Sequence, residues 1–199
     1  MRKVGLIETR QGANLPHWTR DGATYAVTFR LADSLPQQAI DRLLLEYRRI
    51  ERKSEQHAAA LSLEELVRRS KGRTEAYHAL LDEGYGECTL ANPEIAKVVA
   101  DALKHFDGNR YQLFAWCVMP NHVHSVVIPF QSHDLPEILH SWKSFTAKAA
   151  NKALGRTGSF WQRESYDHLI RDEADFAHHV HYVRENPRVA GLVNWPWVG

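Results

Sequence analysis

The hydrophobic pattern of this chain alternates between a period of two and a period of three to four residues. "ATYAVTFRL" (Ala23–Leu31) is rich in β-branched and aromatic residues and predicts a strand. Ser34, with Gln37 three residues on, is a capping-box pattern, so a helix is expected from about Leu35 into the fifties. Residues 46–82 are dense in Glu, Arg, Lys and Ala and thin in apolar positions. They predict one or two exposed helices inserted between core elements, with a break at "KGR" (Lys71–Arg73). "NPEIAKVVADALKHF" opens with Asn92 as N-cap and Pro93 at the first helical position, and Ile95, Val98, Val99 and Leu103 form its apolar stripe. "YQLFAWCVMP" and "HVHSVVIPF" read as two strands joined by a tight turn at Pro120 and Asn121, hence antiparallel. "DLPEILHSWKSFTAKAANKAL" predicts a helix with Leu135, Ile138, Leu139, Trp142 and Phe145 on one side, ended by Gly155 and Gly158. "SFWQRESYDHLI" is extended and ends as a strand near Ile170. Asp172 then caps a last helix, "EADFAHHVHYVREN", which Pro187 is expected to terminate.

This order predicts an α+β fold: a small antiparallel sheet with helices packed on one face. Residues 1–199 are read as a single domain carrying a helical insertion at about 46–82. Composition changes this picture little. Of 199 residues, 25 are Lys or Arg and 24 Asp or Glu, a formal net charge of +1. Overall charge therefore gives slight support to a nucleic-acid partner. Between Leu135 and Arg171 the balance is more basic, with Lys143, Lys148, Lys152, Arg156, Arg163 and Arg171 against Glu137, Glu164 and Asp167. No apolar run approaches the ~20 residues that span a bilayer, so no membrane association is expected. The basic start lacks the apolar stretch of a secretory signal. The two cysteines, Cys88 and Cys117, form no CxxC pattern. They fit a reducing, cytoplasmic compartment and argue against a cysteine-based zinc site.

The candidate chemistry begins with "HVH". In a strand, residues i and i+2 share a face, so His122 and His124 project side by side while Val123 and Ser125 point away. Two imidazoles can hold one ion and leave positions open for a third protein ligand, water and substrate. The bland reading is a strand with one wet face. In the last helix, Phe176, Val180 and Val183 form the apolar stripe, and Tyr182 shares another face with His178, His179 and Asn186. Asn186 follows Tyr182 by four residues, one turn away, at or next to the expected C-cap, where the helix end favours a cation. Its amide oxygen suits a hard divalent ion. An amphipathic surface tyrosine and a helix-ending asparagine remain the plain alternatives. His168, His178, His179 and His181 are read as surface or supporting polar groups. Tyr166 is the rival tyrosine, in an extended context without an amide one turn on.

"MPNHVHSVVIP", "FWQRESYDHLIRDEADF" and "HYVRENPRVAGLV" together resemble the single-tyrosine HUH transposases, above all the REP-associated tyrosine transposase branch. "GATYAVTFRLADSLP" and "GYGECTL" resemble one subgroup, and the similarity runs from about Ala23 to Val193. The resemblance implies a ferredoxin-like or RRM-like antiparallel sheet. It implies His122 and His124 as metal ligands, Asn186 as the third ligand and Tyr182 as nucleophile on single-stranded DNA bearing hairpins. Some relatives carry Gln at the third ligand position, and the shorter Asn would draw the ion closer to the helix. It further implies a 5′-phosphotyrosine intermediate and Mg²⁺ or Mn²⁺ as cofactor, in a monomer or homodimer. Arg163, Lys143, Lys148 and Arg171 are candidate phosphate contacts, and Trp161 could stack on a base or pack in the core. Two other readings stand beside this one. A non-catalytic single-strand-binding module on an RRM-like sheet would present aromatics where this hairpin presents imidazoles. A histidine-triad nucleotide hydrolase would need a third His at position 126, which is Val.

Overall fold

Strand and helix boundaries follow the local signals closely. The structure, a computed structural model, describes residues 8–11, 16–19, 22–36, 38 and 76–199. The helix expected from Leu35 and most of the insertion at 46–82 lie outside the described residues. By its contacts the chain divides into two compact units, residues 1–32 with 88–199, and residues 33–87.

In the larger unit, β1 (Glu8–Gln11) and β2 (Pro16–Thr19) form a small antiparallel pair, Glu8 opposite Thr19. The main sheet holds β3 (Tyr25–Arg30), β4 (Tyr111–Val118), β5 (His122–Pro129) and β6 (Tyr166–Leu169), in the order β4-β5-β3-β6, all neighbours antiparallel. Between β3 and β4 runs α1 (Pro93–Lys104), and between β5 and β6 runs α2 (Leu135–Ala153). The β3-α1-β4-β5-α2-β6 order with this strand arrangement is the ferredoxin-like fold. A last helix, α3 (Glu173–Val189), follows β6.

The starts of α1, α2 and α3 are each built by a short side chain that accepts an otherwise unsatisfied amide. Asn92 accepts from the Glu94 N–H at 2.9 Å, Asp134 from Glu137 at 2.7 Å and Asp172 from Asp175 at 2.8 Å. On α2 the buried positions are Leu135, Ile138, Trp142, Thr146 and Ala150. Phe145 was expected among them, yet it is 60 % exposed. It sits ~60° off the stripe, and Thr146, four residues after Trp142, takes the inward position instead. Pro187 does not terminate α3, which continues to Val189 with Ala190 as its C-cap. A proline removes its own donor to the carbonyl four residues back and crowds that carbonyl, a cost confined to one turn. The last turn still closes through the Ala190 N–H to the Asn186 carbonyl at 2.9 Å.

The two faces of the sheet differ. Tyr25, Val27, Phe29, Val123 and Val127 join Ile95, Val99 and Leu103 of α1 and Ile138 and Trp142 of α2 in the main core. There Phe29 meets the Trp161 ring edge-on at 4.8 Å, and the Trp142 N–H donates to the Tyr111 hydroxyl at 2.9 Å. That hydroxyl donates in turn to the Leu103 carbonyl at 2.8 Å, so the buried polar tips are satisfied. The opposite face carries Ala26, Ala115, Cys117, Met119 and Val126, against which α3 lays Val183, Val180 and Phe176. An irregularity in β4 between Leu113 and Ala115 gives this face Phe114 as well as Ala115. Phe114 meets Phe176 edge-on at 5.0 Å and so helps seat α3.

In the smaller unit, residues 76–82 are helical, and the Glu87 N–H donates to the Asp33 carboxylate at 2.8 Å. Gly86, at φ +87°, lies so close to Asp33 that a Cβ would come within 2.7 Å of the Asp33 carbonyl oxygen. Only glycine combines that backbone with that approach.

Candidate active site

Strand alternation puts His122, His124 and Val126 of β5 on the face covered by α3, together with Ala26, Thr28 and Arg30 of β3. Thr28 stands opposite His124, and Arg30 opposite His122. Both imidazoles are buried, at 0 % and 2 % exposure. Their Nε2 atoms converge to 2.9 Å. His122 Nδ1 lies 2.7 Å from Asn121 Oδ1, an acceptor, so Nδ1 carries the proton and Nε2 presents its lone pair. His124 Nδ1 lies 2.7 Å from the Thr28 hydroxyl, which can donate or accept. Two lone pairs cannot face each other at such a distance. Either His124 is protonated at Nε2 and takes the Thr28 proton at Nδ1, or a cation lies between the nitrogens and Thr28 accepts instead. Thr28 and Asn121 thus fix the orientation of the two imidazoles. Sequence reading missed both: Asn121 adjoins His122 in "PNH", but Thr28 is brought in by a register no local pattern displays.

From α3, the Tyr182 ring packs against His124, with centroids 5.3 Å apart and planes at 79°. The Tyr182 hydroxyl oxygen is closed off from solvent. Asn186, one turn on, is 2 % exposed, and its Oδ1 is buried with no hydrogen-bond donor among the described residues. A buried acceptor without a donor is costly and calls for a cation or a bound donor. Two convergent imidazole nitrogens and an unsatisfied amide oxygen therefore fit a divalent metal on their chemistry. Asn186 is expected at or next to the C-cap. It lies instead within the last turn, where its carbonyl takes the Ala190 N–H.

The rival tyrosine is on the same sheet face, since Tyr166 pairs with Thr28. It stands two strands from His124, about 10 Å at the usual spacing, whereas Tyr182 touches the ring. Val126 is fully buried in the cluster under α3, so position 126 serves packing, and the three-histidine arrangement of a triad hydrolase is missing.

The expected DNA contacts fare unequally. Arg163, Lys148 and Arg171 are exposed. Lys143 is not a free cation: its ammonium donates to the carbonyls of Gln162 at 2.7 Å and Arg163 at 2.8 Å, with Ser165 Oγ 3.3 Å away. Burial, then the nearby Arg30 charge, lowers its pKa to about 8, against the opposing pull of Glu164. Base stacking by Trp161 does not match its position. The ring is 7 % exposed, donates its N–H to Thr146 at 2.8 Å and sits edge-on to Phe29 and Phe160 in the main core.

Fold and site together define a ferredoxin-like α+β protein with paired histidines on a central strand, facing a tyrosine and an amide on a covering helix. The chain belongs to the family described as "Transposase IS200 like", which matches residues 76–186, more than half its length. His122, His124, Tyr182 and Asn186 all fall in that range. The REP-associated tyrosine transposase of Escherichia coli K12 is 30 % identical over 92 residues, covering 44 % of this chain and 53 % of that protein. A Haemophilus influenzae protein provisionally assigned the same name is 29 % identical over 101 residues, covering 44 % of this chain and 57 % of its own. The chain thus spans little more than half the length of these curated relatives. A solved structure of a REP-associated tyrosine transposase bound to a REP hairpin aligns with a TM-score of 0.49 and 19 % identity, over 89 % of this chain and 76 % of that one.

Proposed function

We propose that this transposase-family chain is a metal-dependent single-stranded DNA endonuclease and strand transferase that works through a 5′-phosphotyrosine intermediate. The observation that carries the reading is the meeting of Tyr182 with His124 over a pair of converging Nε2 atoms. His122 Nε2, His124 Nε2 and Asn186 Oδ1 would hold the ion. When bound, it would supply positive charge against the scissile phosphate. Imidazole and amide donors suit Mn²⁺ on ligand preference, and Mg²⁺ accepts the same oxygen.

In the step itself the Tyr182 oxygen attacks phosphorus. The bond from phosphorus to the 3′ oxygen breaks, that oxygen leaves with the bonding pair and takes up a proton to become a 3′-hydroxyl, and the 5′ phosphate remains on the tyrosine. A free phenol has a pKa near ~10, so Tyr182 must lose its proton as attack proceeds. The ester bond is conserved in the enzyme-linked product, and a second 3′-hydroxyl can attack it to rejoin strands. Exposed Arg163, Lys148 and Arg171 would hold DNA phosphates. The preference for hairpin-bearing strands rests on the resemblance to the REP-associated branch. The tyrosine would act beside His124, against which its ring packs, in a monomer or a homodimer.

The test is adduct formation on labelled single-stranded oligonucleotides that carry a hairpin, with Mn²⁺ or with EDTA. Wild type should form a protein–DNA species of reduced gel mobility only with metal, and Tyr182→Phe should form none. Undiminished cleavage by Tyr182→Phe, or by wild type in EDTA, would overturn the assignment.

A further inference from the structure

A second group of metal-type donors lies at the start of α3, apart from the paired histidines. His168 on β6 pairs with Ala26, so it projects to the face that α3 covers. Asp175 and His179, four residues apart, share one side of α3. His168 Nε2 stands 3.0 Å from Asp175 Oδ2, and His179 Nε2 stands 3.4 Å from Asp175 Oδ1. The three ligand atoms all lie within 4.8 Å of one another. The His168 and His179 rings are 4.7 Å apart.

We propose that His168, Asp175 and His179 form a second divalent-cation site, of the nitrogen-and-oxygen class that takes Zn²⁺, which fastens the first turns of α3 to the sheet-edge strand β6. Bonds of about 2.0–2.1 Å in a tetrahedral site separate neighbouring ligand atoms by about 3.3 Å, and the two His–Asp spacings, one to each carboxylate oxygen, are of that order. The Asp175 carboxylate supplies negative charge and is itself oriented by the Arg171 N–H, which donates to Oδ2 at 3.1 Å. A hydrogen-bonded backbone amide of that kind is the usual outer support of a carboxylate ligand. All three side chains are 18–25 % exposed, which gives an ion a way in and leaves a fourth position for water. Two ligands come from α3 and one from β6, so an ion here restrains the helix that carries Tyr182 and Asn186. The site is defined by its own donors and does not depend on the cleavage reading.

The experiment is calorimetric titration with Zn²⁺, alongside the visible absorption of Co²⁺, on His122→Ala/His124→Ala protein checked for folding by circular dichroism. This variant should still bind about one equivalent of Zn²⁺ and give the absorption of a four-coordinate Co²⁺ site. In the same background His168→Gln and His179→Gln should each abolish both signals, and His178→Gln should change neither. If the double variant does not fold, wild type and single His168→Gln protein are compared, and the single change should remove one equivalent. No binding in the double variant, or binding unaltered by His168→Gln, would mean that the three side chains form only a hydrogen-bonded group. Cleavage activity is not read at any point, so failure of this site and failure of the nuclease reading are separate results.

Discussion

The two faces of the central sheet are built from the same strands and do opposite work. On one, Val27 and Phe29 of β3 and Val123 and Val127 of β5 meet α1 and α2 in a core of apolar and aromatic side chains. On the other stand the alternate residues Thr28, His122 and His124, and Tyr182 of α3 packs against the His124 ring. The first face holds position because its polar tips are paired internally, as in the chain from Trp142 through Tyr111 to the Leu103 carbonyl. The second keeps buried nitrogens that crowd each other and an amide oxygen without a donor. Unmet polarity of that kind marks a place where a ligand completes the structure.

Substitutions on each face should separate these roles. The largest effect is expected from Trp142→Ala. It should cost about 3–5 kcal/mol, read as a lower midpoint in denaturant, while adduct formation persists under conditions where the variant is folded. Next come reciprocal changes on neighbouring residues of one strand. Thr28→Val removes the partner of His124 Nδ1 and should weaken Mn²⁺ binding by roughly 10–100-fold in calorimetry. Val27→Thr should leave Mn²⁺ binding alone and lower stability by about 1–3 kcal/mol, because it buries a hydroxyl in the apolar face. Equal effects of the two on metal affinity would erase the distinction between the faces.

Asn186→Leu sharpens the comparison further. In EDTA its melting temperature should equal or exceed that of wild type, since it removes an unsatisfied buried oxygen costing about 1–3 kcal/mol. With Mn²⁺ the wild type should gain stability and the variant much less. A clear loss of stability in EDTA would show that the amide is a structural partner.

The last comparison, at Lys143, is read through pH. Its folded pKa is about 8, below the ordinary lysine value of 10.5, because burial disfavours the ammonium. Between those values the unfolded chain binds more protons, so wild-type stability relative to Lys143→Met should rise as pH goes from 8 toward 10.5. Below pH 8 the difference should be flat.

Much of this molecule is legible from short stretches. A period of two puts His122 and His124 on one face whatever the fold. A spacing of four makes Tyr182 and Asn186 neighbours on any helix. Asn92, Asp134 and Asp172 announce their helices because capping involves only the first turn. These relations span a few residues, so local geometry settles them. Tertiary structure alone decided the rest. It put α3 on the face opposite α1 and α2, set Thr28 against His124 across 96 residues, and folded Trp161 and the Lys143 ammonium inward. It also carried α3 through Pro187, where the packing of Val183 and the closing bond at Ala190 outweigh one missing donor. Strand register and helix side depend on which distant apolar surfaces bury each other, and no short segment contains both surfaces.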